Sequence, residues 1–266
     1  MPPLLDNKNP LSPSVFKPAA LLREARRQKG LPKVSVPPFC ILDPDGDMVR
    51  TLRKEGRAKP FNNWPCYHTQ LDEFELAGQR VGIVGCAVGA PFAVLIAEEL
   101  FESGCRLLVS VTSAGQIVPA GPTPYFILIE RALRDEGTSY HYAPVSEFSD
   151  ADPAIVAMAV NALRSAGLPA IVGSSWTTDA PFRETAEAIE AAERSGILAV
   201  EMEAAALYAF AKGRRANVLC IAHVTNTMGQ AERDFEKGEA DGTAESLAIL
   251  AAVAREAVRT SLLVHA

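Results

Sequence analysis

Apolar and polar residues fall along this chain in blocks, and the period changes from block to block. Arg80 to Cys86, RVGIVGC, is a short apolar run suited to a buried strand, and FAVLIAEELFESG after it has helical spacing. Pro91 fits the first turn of that helix and Gly104 its end. A second strand, RLLVSVT, begins at once and stops at Ser113-Ala114-Gly115. Strand, helix and strand in succession form a βαβ unit, which predicts a parallel pair. Residues 126–129, 168–173, 197–200 and 218–224 read as further strands. Helices are predicted from Asp152-Pro153 to Gly167, up to about Arg194, over AAALYAFAK to Gly213, and from Thr243 as cap to Leu263. Ala154, Val156, Ala159, Val160 and Leu163 would face inward on the first of these. Leu247, Leu250, Ala251, Ala254 and Val258 would form the stripe of the last. Residues 134–144 and 174–183 read as polar loops. The alternation predicts an α/β fold: one domain, a three-layer αβα sandwich.

Ahead of that pattern lie residues 1–36, with prolines at 2, 3, 10, 13, 18 and 32 and a basic segment, LLREARRQKG. This predicts an extended arm with one short helix before a domain spanning 37–266. Asp43-Pro44-Asp45-Gly46 is a turn signal. Its acids resemble a calcium loop only faintly, and the glycine spacing and closing glutamate are missing, so no metal is expected.

Composition narrows the classes. The 266 residues are 48% hydrophobic and 22% charged, enough for a sizeable core. The formal net charge is -6 and no basic cluster stands out, which argues against nucleic acid as a partner. Cysteines at 40, 66, 86, 105 and 220 are odd in number and form no CxxC pair, which suits free thiols in a reducing cytoplasm. No signal peptide and no membrane span are expected, because no basic start leads into an apolar run and no apolar run is long enough.

Chemistry concentrates at the strand ends: 86–90, 112–115, 174–179, 201–203 and 225–227 are all polar or small. Open α/β sheets bind ligands beyond the carboxyl ends of their strands. Gly85, Gly89 and the helix start suit an anion, although neither a Walker loop nor GxGxxG is present. Glu201-Met202-Glu203 sits at a strand-to-helix seam, and a buried charge there needs a partner or a job. The plain alternative is that both glutamates cap the helix.

AVEMEAAALY (199–208), VTSAG (111–115), GAPFAVLIAEEL (89–100) and HVTN (223–226) resemble the nucleoside phosphorylase and nucleosidase superfamily. EGTSYHYAP and SSWTTDAPFRET resemble its uridine-phosphorylase side. The resemblance implies a central mixed, partly barrel-like sheet. It implies Glu203 and Asn226 as catalytic residues, with Glu203, Met202 and Ser113 at the ribose. It implies Gly89, Ser113 and His68 at phosphate, and Thr112, Ala114, Gly115, Thr178, Arg183 and Asn226 around the base. His141 and Tyr142 would line the pocket or a subunit contact, and Glu201 would be structural.

The departures concern phosphate. The superfamily's phosphorylases carry a Gly-Asp-Pro-Asp-Arg turn whose glycine and arginine grip the anion. The matching place reads Leu42-Asp43-Pro44-Asp45-Gly46, which leaves both grips out. A second phosphate arginine falls on Ser110, and a third, from a neighbouring subunit, near Tyr67 and His68. The expected activity is phosphorolysis of a nucleoside, pyrimidine-leaning, with phosphate as co-substrate and no metal or organic cofactor. A phosphate-independent nucleosidase and a non-catalytic nucleoside-binding protein are the alternatives. A homo-oligomer, dimer or hexamer, is expected.

Overall fold

The computed structural model describes residues 3–228, 232 and 234–263. In chain order the strands are β1 (Phe39–Asp43), β2 (Lys59–Pro60), β3 (Asp72–Leu76), β4 (Gln79–Gly85), β5 (Leu107–Gln116), β6 (Tyr125–Asp135), β7 (Phe148–Asp150), β8 (Ile171–Thr178), β9 (Ala199–Glu201) and β10 (Asn217–Asn226). The helices are α1 (Pro18–Lys29), α2 (Asp47–Lys54), α3 (Ala90–Glu102), α4 (Pro153–Ser165), α5 (Ala186–Arg194), α6 (Ala204–Arg214) and α7 (Thr243–Arg259). The predicted parallel pairing holds in a wider form: β1 lies parallel to both β4 and β5, and β5 parallel to β10.

The sheet is mixed and closes on one side. β5, β10, β6, β8 and β9 pair in a ring, because β10 bonds to both β5 and β6 while β9 bonds to both β8 and β5. The other side continues open through β1, β4, β3 and β2. One face packs Val84, Leu108, Ala222 and Val224 under α3 and α6. The opposite face packs Ile41, Ile83, Val109 and Ile221 under α2, α4 and α7. Two buried faces make the central strands read as continuous apolar runs rather than alternating ones.

Several boundaries move relative to the sequence reading. Ser174–Thr178 is not loop but the second half of β8, and every residue in it is buried. Arg134 and Asp135 likewise end β6, with Ser139–His141 a 3-10 turn after it. Hydroxyl-rich strands look like loops to a hydropathy reading, yet here barrel closure buries them. β1, α2 and β3 were absent from the expectation: α2 is amphipathic but short, and the DEFEL of β3 is half acidic. On α4 the buried residues are Ile155, Met158, Ala159, Ala162 and Leu163, so the inward face is rotated from the predicted one and Ala154 is exposed. α7 is capped by Gly242 in the left-handed conformation rather than by Thr243, and Val258 is exposed.

The arm folds back on its own chain. α1 buries Leu22 and Ala25 completely and packs on α3, while Lys29 Nζ donates to the carbonyls of Pro65 and Cys66 at 2.8 and 2.6 Å. Among the described residues, no helix is long and apolar enough to cross a membrane.

Tyr208, on α6, joins the layers. Its hydroxyl donates to the Ile129 carbonyl of β6 at 2.6 Å and accepts from the Cys220 N–H of β10 at 3.0 Å. It bridges the two strands one position beyond their last ladder pair, Ile221 with Leu128. Tyr208→Phe leaves a buried N–H unpaired and is expected to cost about 1–3 kcal/mol in denaturant unfolding; an unaltered midpoint would show the bridge to be dispensable.

Candidate active site at the strand ends

The two carboxylates of the Glu201-Met202-Glu203 seam separate into different tasks. Glu201, ending β9, is the cap: its Oε2 accepts from the N–H groups of Glu203 and Ala204, each at 2.7 Å. Its Oε1 accepts from the Ser175 hydroxyl at 3.1 Å and from the Thr177 hydroxyl. Thr177 Oγ1 in turn accepts from Ala205 N at 2.9 Å, so β8 and the first turn of α6 are tied through one carboxylate. Glu203 stands at the N-cap of α6 but makes no cap bond. It reaches across the sheet, where Oε1 accepts from Gly89 N at 2.6 Å and Oε2, fully buried, has no partner.

That difference in partners orders their protonation. Burial pushes the Glu203 carboxyl up to about 8, helped by repulsion from Glu201 and Asp45 and opposed by the Gly89 N–H and the Thr112 hydroxyl. Burial also raises Glu201, against the hydroxyls of Thr177 and Ser175 and the N–H groups of Glu203 and Ala204. The denser donor set keeps the charge on Glu201, so the proton belongs on Glu203.

Gly89 is expected at phosphate, but its N–H is turned to Glu203. Its φ of 90° and ψ of 148° lie in a region open to glycine, which is what lets the N–H point inward just before α3. Thr112 faces Glu203, and Ala114 is buried in the core beneath α3 and α6. Met202 is half-buried beside Glu203. Asn226 ends β10; its Oδ1 accepts from Met228 N at 2.8 Å and its amide donates to Thr225 Oγ1 at 3.2 Å. Gly115 makes room here: a Cβ on it would collide with Met228 Sδ and sit 3.5 Å from Asn226 Oδ1.

Ser113 lies on the other face of β5. Its N–H and hydroxyl donate to Asp45 Oδ2 and Oδ1 at 3.1 and 3.0 Å. Asp45 belongs to the turn between β1 and α2. The buried Asp43 anchors that turn by accepting from Val49 N at 2.9 Å, and burial pushes its carboxyl up to about 7. The turn also holds a second frame for a glycine and an arginine. Gly46-Asp47-Met48-Val49-Arg50 places a glycine and an arginine at the spacing of Gly-Asp-Pro-Asp-Arg, four residues after the Leu42 start. Gly46 is left-handed, with the Arg50 guanidinium lying over it and paired to Asp47. Ser110 remains a buried serine with no partner.

Three expected residues stand apart. His68 is exposed in the loop beside Tyr67, on the α1 side of the molecule, with Glu99 as its charged neighbour. Arg183 is exposed in the 3-10 turn Pro181–Arg183, and Thr178 is buried with its hydroxyl accepting from Ala180 N at 3.1 Å. No described hydrogen bond joins either to Glu203 or Asn226. His141 and Tyr142 line a cleft of about 710 Å³ between the arm, α3 and α6, where Tyr142 donates to Glu98 at 3.1 Å. His223 carries no role in the expected site. It is stacked on Phe126 with ring centroids 4.4 Å apart, its Nε2 unpartnered, and burial pushes it down to about 4, so it is neutral. A histidine in an apolar strand gives no signal of this kind until its neighbours are known.

A buried carboxyl, backbone donors and an amide thus gather at the carboxyl ends of a partly closed mixed sheet, where α/β folds bind ligands. The chain belongs to the phosphorylase superfamily, which it matches over residues 38–259. It is similar to the DeoD-type purine nucleoside phosphorylase of Psychromonas ingrahamii, 29% identical over 59% of this chain and 67% of that protein. It is also similar to the enzymes of the same name from Streptococcus uberis, at 27% over 62% and 71%, and Clostridium novyi, at 28% over 60% and 70%.

Glu203 makes stability depend on pH. A carboxyl raised from 4.5 to about 8 contributes stability that is complete below pH 4.5 and is lost as the pH rises through 8. Glu203→Gln is neutral throughout. Its unfolding free energy should therefore gain on the native protein by about 1.4 kcal/mol per pH unit across that window. A difference constant from pH 4.5 to 9 would place the proton elsewhere.

Proposed function

We propose that this chain cleaves the N-glycosidic bond of a nucleoside with phosphate as nucleophile, releasing free base and ribose 1-phosphate. The observation that carries the reading is the buried Glu203, whose Oε2 has no partner while Gly89 holds Oε1. A ribose diol brings the O–H donors that this atom lacks. Those O–H donors favour the ionised form of Glu203, so substrate binding draws its pKa down and the proton leaves to solvent. Losing the base then builds positive charge on the sugar, as in glycoside hydrolysis, and the fixed carboxylate stabilises it. Met202 packs beside the sugar. Asn226, opposite Gly115, offers hydrogen bonds to the base but no acidic proton. Arg50, the Gly46 turn and Ser113 receive phosphate, the arginine because a planar guanidinium suits a dianion. His68 joins the phosphate only if it comes from a second subunit.

The base is purine in our reading. Support comes from the relatives, named as purine nucleoside phosphorylases. The pyrimidine-leaning expectation leaned on 134–144 and 174–183, of which 134–135 and 174–178 are strand and Arg183 stands exposed, apart from Glu203 and Asn226. One observation favours water as nucleophile instead: the Asp45 carboxylate sits on Ser113, where phosphate is expected. We further propose a homo-oligomer, a cytoplasmic location in keeping with five free cysteines, and an arm of residues 1–36 outside the domain, whose family match begins at 38.

The deciding experiment is product analysis on purine and pyrimidine nucleosides with and without phosphate. Release of a purine that requires phosphate and yields ribose 1-phosphate is expected. Free ribose formed regardless of phosphate would make the chain a nucleosidase; pyrimidine release would restore that preference. Glu203→Ala is expected to lower kcat by roughly 10²- to 10³-fold, and undiminished turnover would remove Glu203 from the mechanism.

A further inference from the structure

The site holds its own anion. Asp45 gives one oxygen to the Ser113 N–H and the other to its hydroxyl, the bidentate arrangement expected of a bound oxyanion. Behind it stands a cation from the far end of the chain. Lys237 Nζ lies 2.6 Å from Asp47 and 3.7 Å from Asp45. Residues 234–237 lie against the end of β10: Thr227 N and Oγ1 donate to Asp234 at 2.9 and 2.7 Å, and Glu236 N to the Thr225 carbonyl at 2.8 Å. Arg50 pairs with Asp47 on the other side.

The ion-paired set Asp45, Asp47, Arg50 and Lys237 cancels in formal charge without any ligand, with Asp241 a further acid acting on Lys237. A phosphate dianion seated on Ser113 would face the Asp45 carboxylate at hydrogen-bond range, with like charge and with the donors already taken. Once Asp45 leaves, Lys237, Arg50 and the Ser113 donors confront the anion with Asp47 as the carboxylate still in direct ion pairs with the two cations. We infer that Asp45 is a specificity-determining residue that occupies the anion subsite, that phosphate enters by exchanging with it, and that Lys237 is the subsite's second cation. The inference rests on the phosphorolytic reading of the site. Nothing covalent happens in the exchange; the Ser113 donors and Lys237 pass from the carboxylate to phosphate.

The test is phosphate dependence of turnover at saturating nucleoside, with phosphate binding followed separately by calorimetry. Asp45→Asn keeps the shape but offers the two Ser113 donors one acceptor and no charge. It should lower the KM for phosphate about tenfold, Lys237→Met should raise it about tenfold, and Lys237→Arg should restore it, in line with the usual worth of a charged hydrogen bond. In each case the KM for nucleoside should move less than that for phosphate. The Lys237 pair gives the answer even where Asp45→Asn folds poorly. Phosphate KM values equal to the native one in both Asp45→Asn and Lys237→Met, or a raised one in Asp45→Asn, would overturn the inference. A native enzyme indifferent to phosphate whose Asp45→Asn variant uses it would sustain the role of Asp45 and sink the phosphorolytic reading. Indifference in both, with no calorimetric binding, would sink both.

Discussion

Two carboxylates lie within three residues of each other in the dry interior, and the fold around them is arranged so that only one must be charged. Glu201 receives two helix N–H groups and two strand hydroxyls, and those same bonds fasten β8 and β9 to α6. A buried ion so dressed costs little, whereas one left bare costs several kcal/mol or gives up its charge. Glu203 gives up its charge. It can afford to stay under-partnered because the pair shares the burden unequally, and the under-partnered oxygen is what a ligand finds.

The rest of the site follows from that division. Glu203 leaves the helix it begins and crosses to Gly89, which commits the glycine to a conformation no side chain would tolerate and fixes the start of α3. Asp43 plays a matching part at the other end, holding the first turn of α2 so that Asp45, Asp47 and Arg50 project from one short segment. On one face of β5 Thr112 meets Glu203; on the opposite face Ser113 meets Asp45. A single strand thus serves two chemically distinct places through its period of two.

Closure of the ring β5–β10–β6–β8–β9 is what buries so many hydroxyls. Thr177 and Ser175 are strand residues whose side chains point at Glu201, and no alternation of apolar and polar positions announces them. The same closure stacks His223 on Phe126 and brings Met228 over Gly115. The helix layers beyond the ring are conventional, and Tyr208 stitches one of them to the seam where β6 and β10 part.

By itself the sequence determined the α/β class, the βαβ start with its parallel strands β4 and β5, a short helix near the N-terminus, and the seam at Glu201–Glu203 as the place to look. These are local matters of apolar period, of proline and glycine at helix ends, and of a charge too well surrounded by alanine to be solvated. Only the tertiary structure decided which glutamate caps and which is free, that the Gly89 N–H serves Glu203, and that Asp45 fills the donors of Ser113. It also showed Lys237 meeting Asp47 across most of the chain's length. Each of these is a pairing between residues far apart in sequence, fixed by where strands end in the sheet, and hydrogen-bond partners at such separations leave no trace in local pattern. The Gly46–Arg50 spacing was present in the letters, but only the structure showed that Gly46 caps α2 in the left-handed conformation and that Arg50 lies over it.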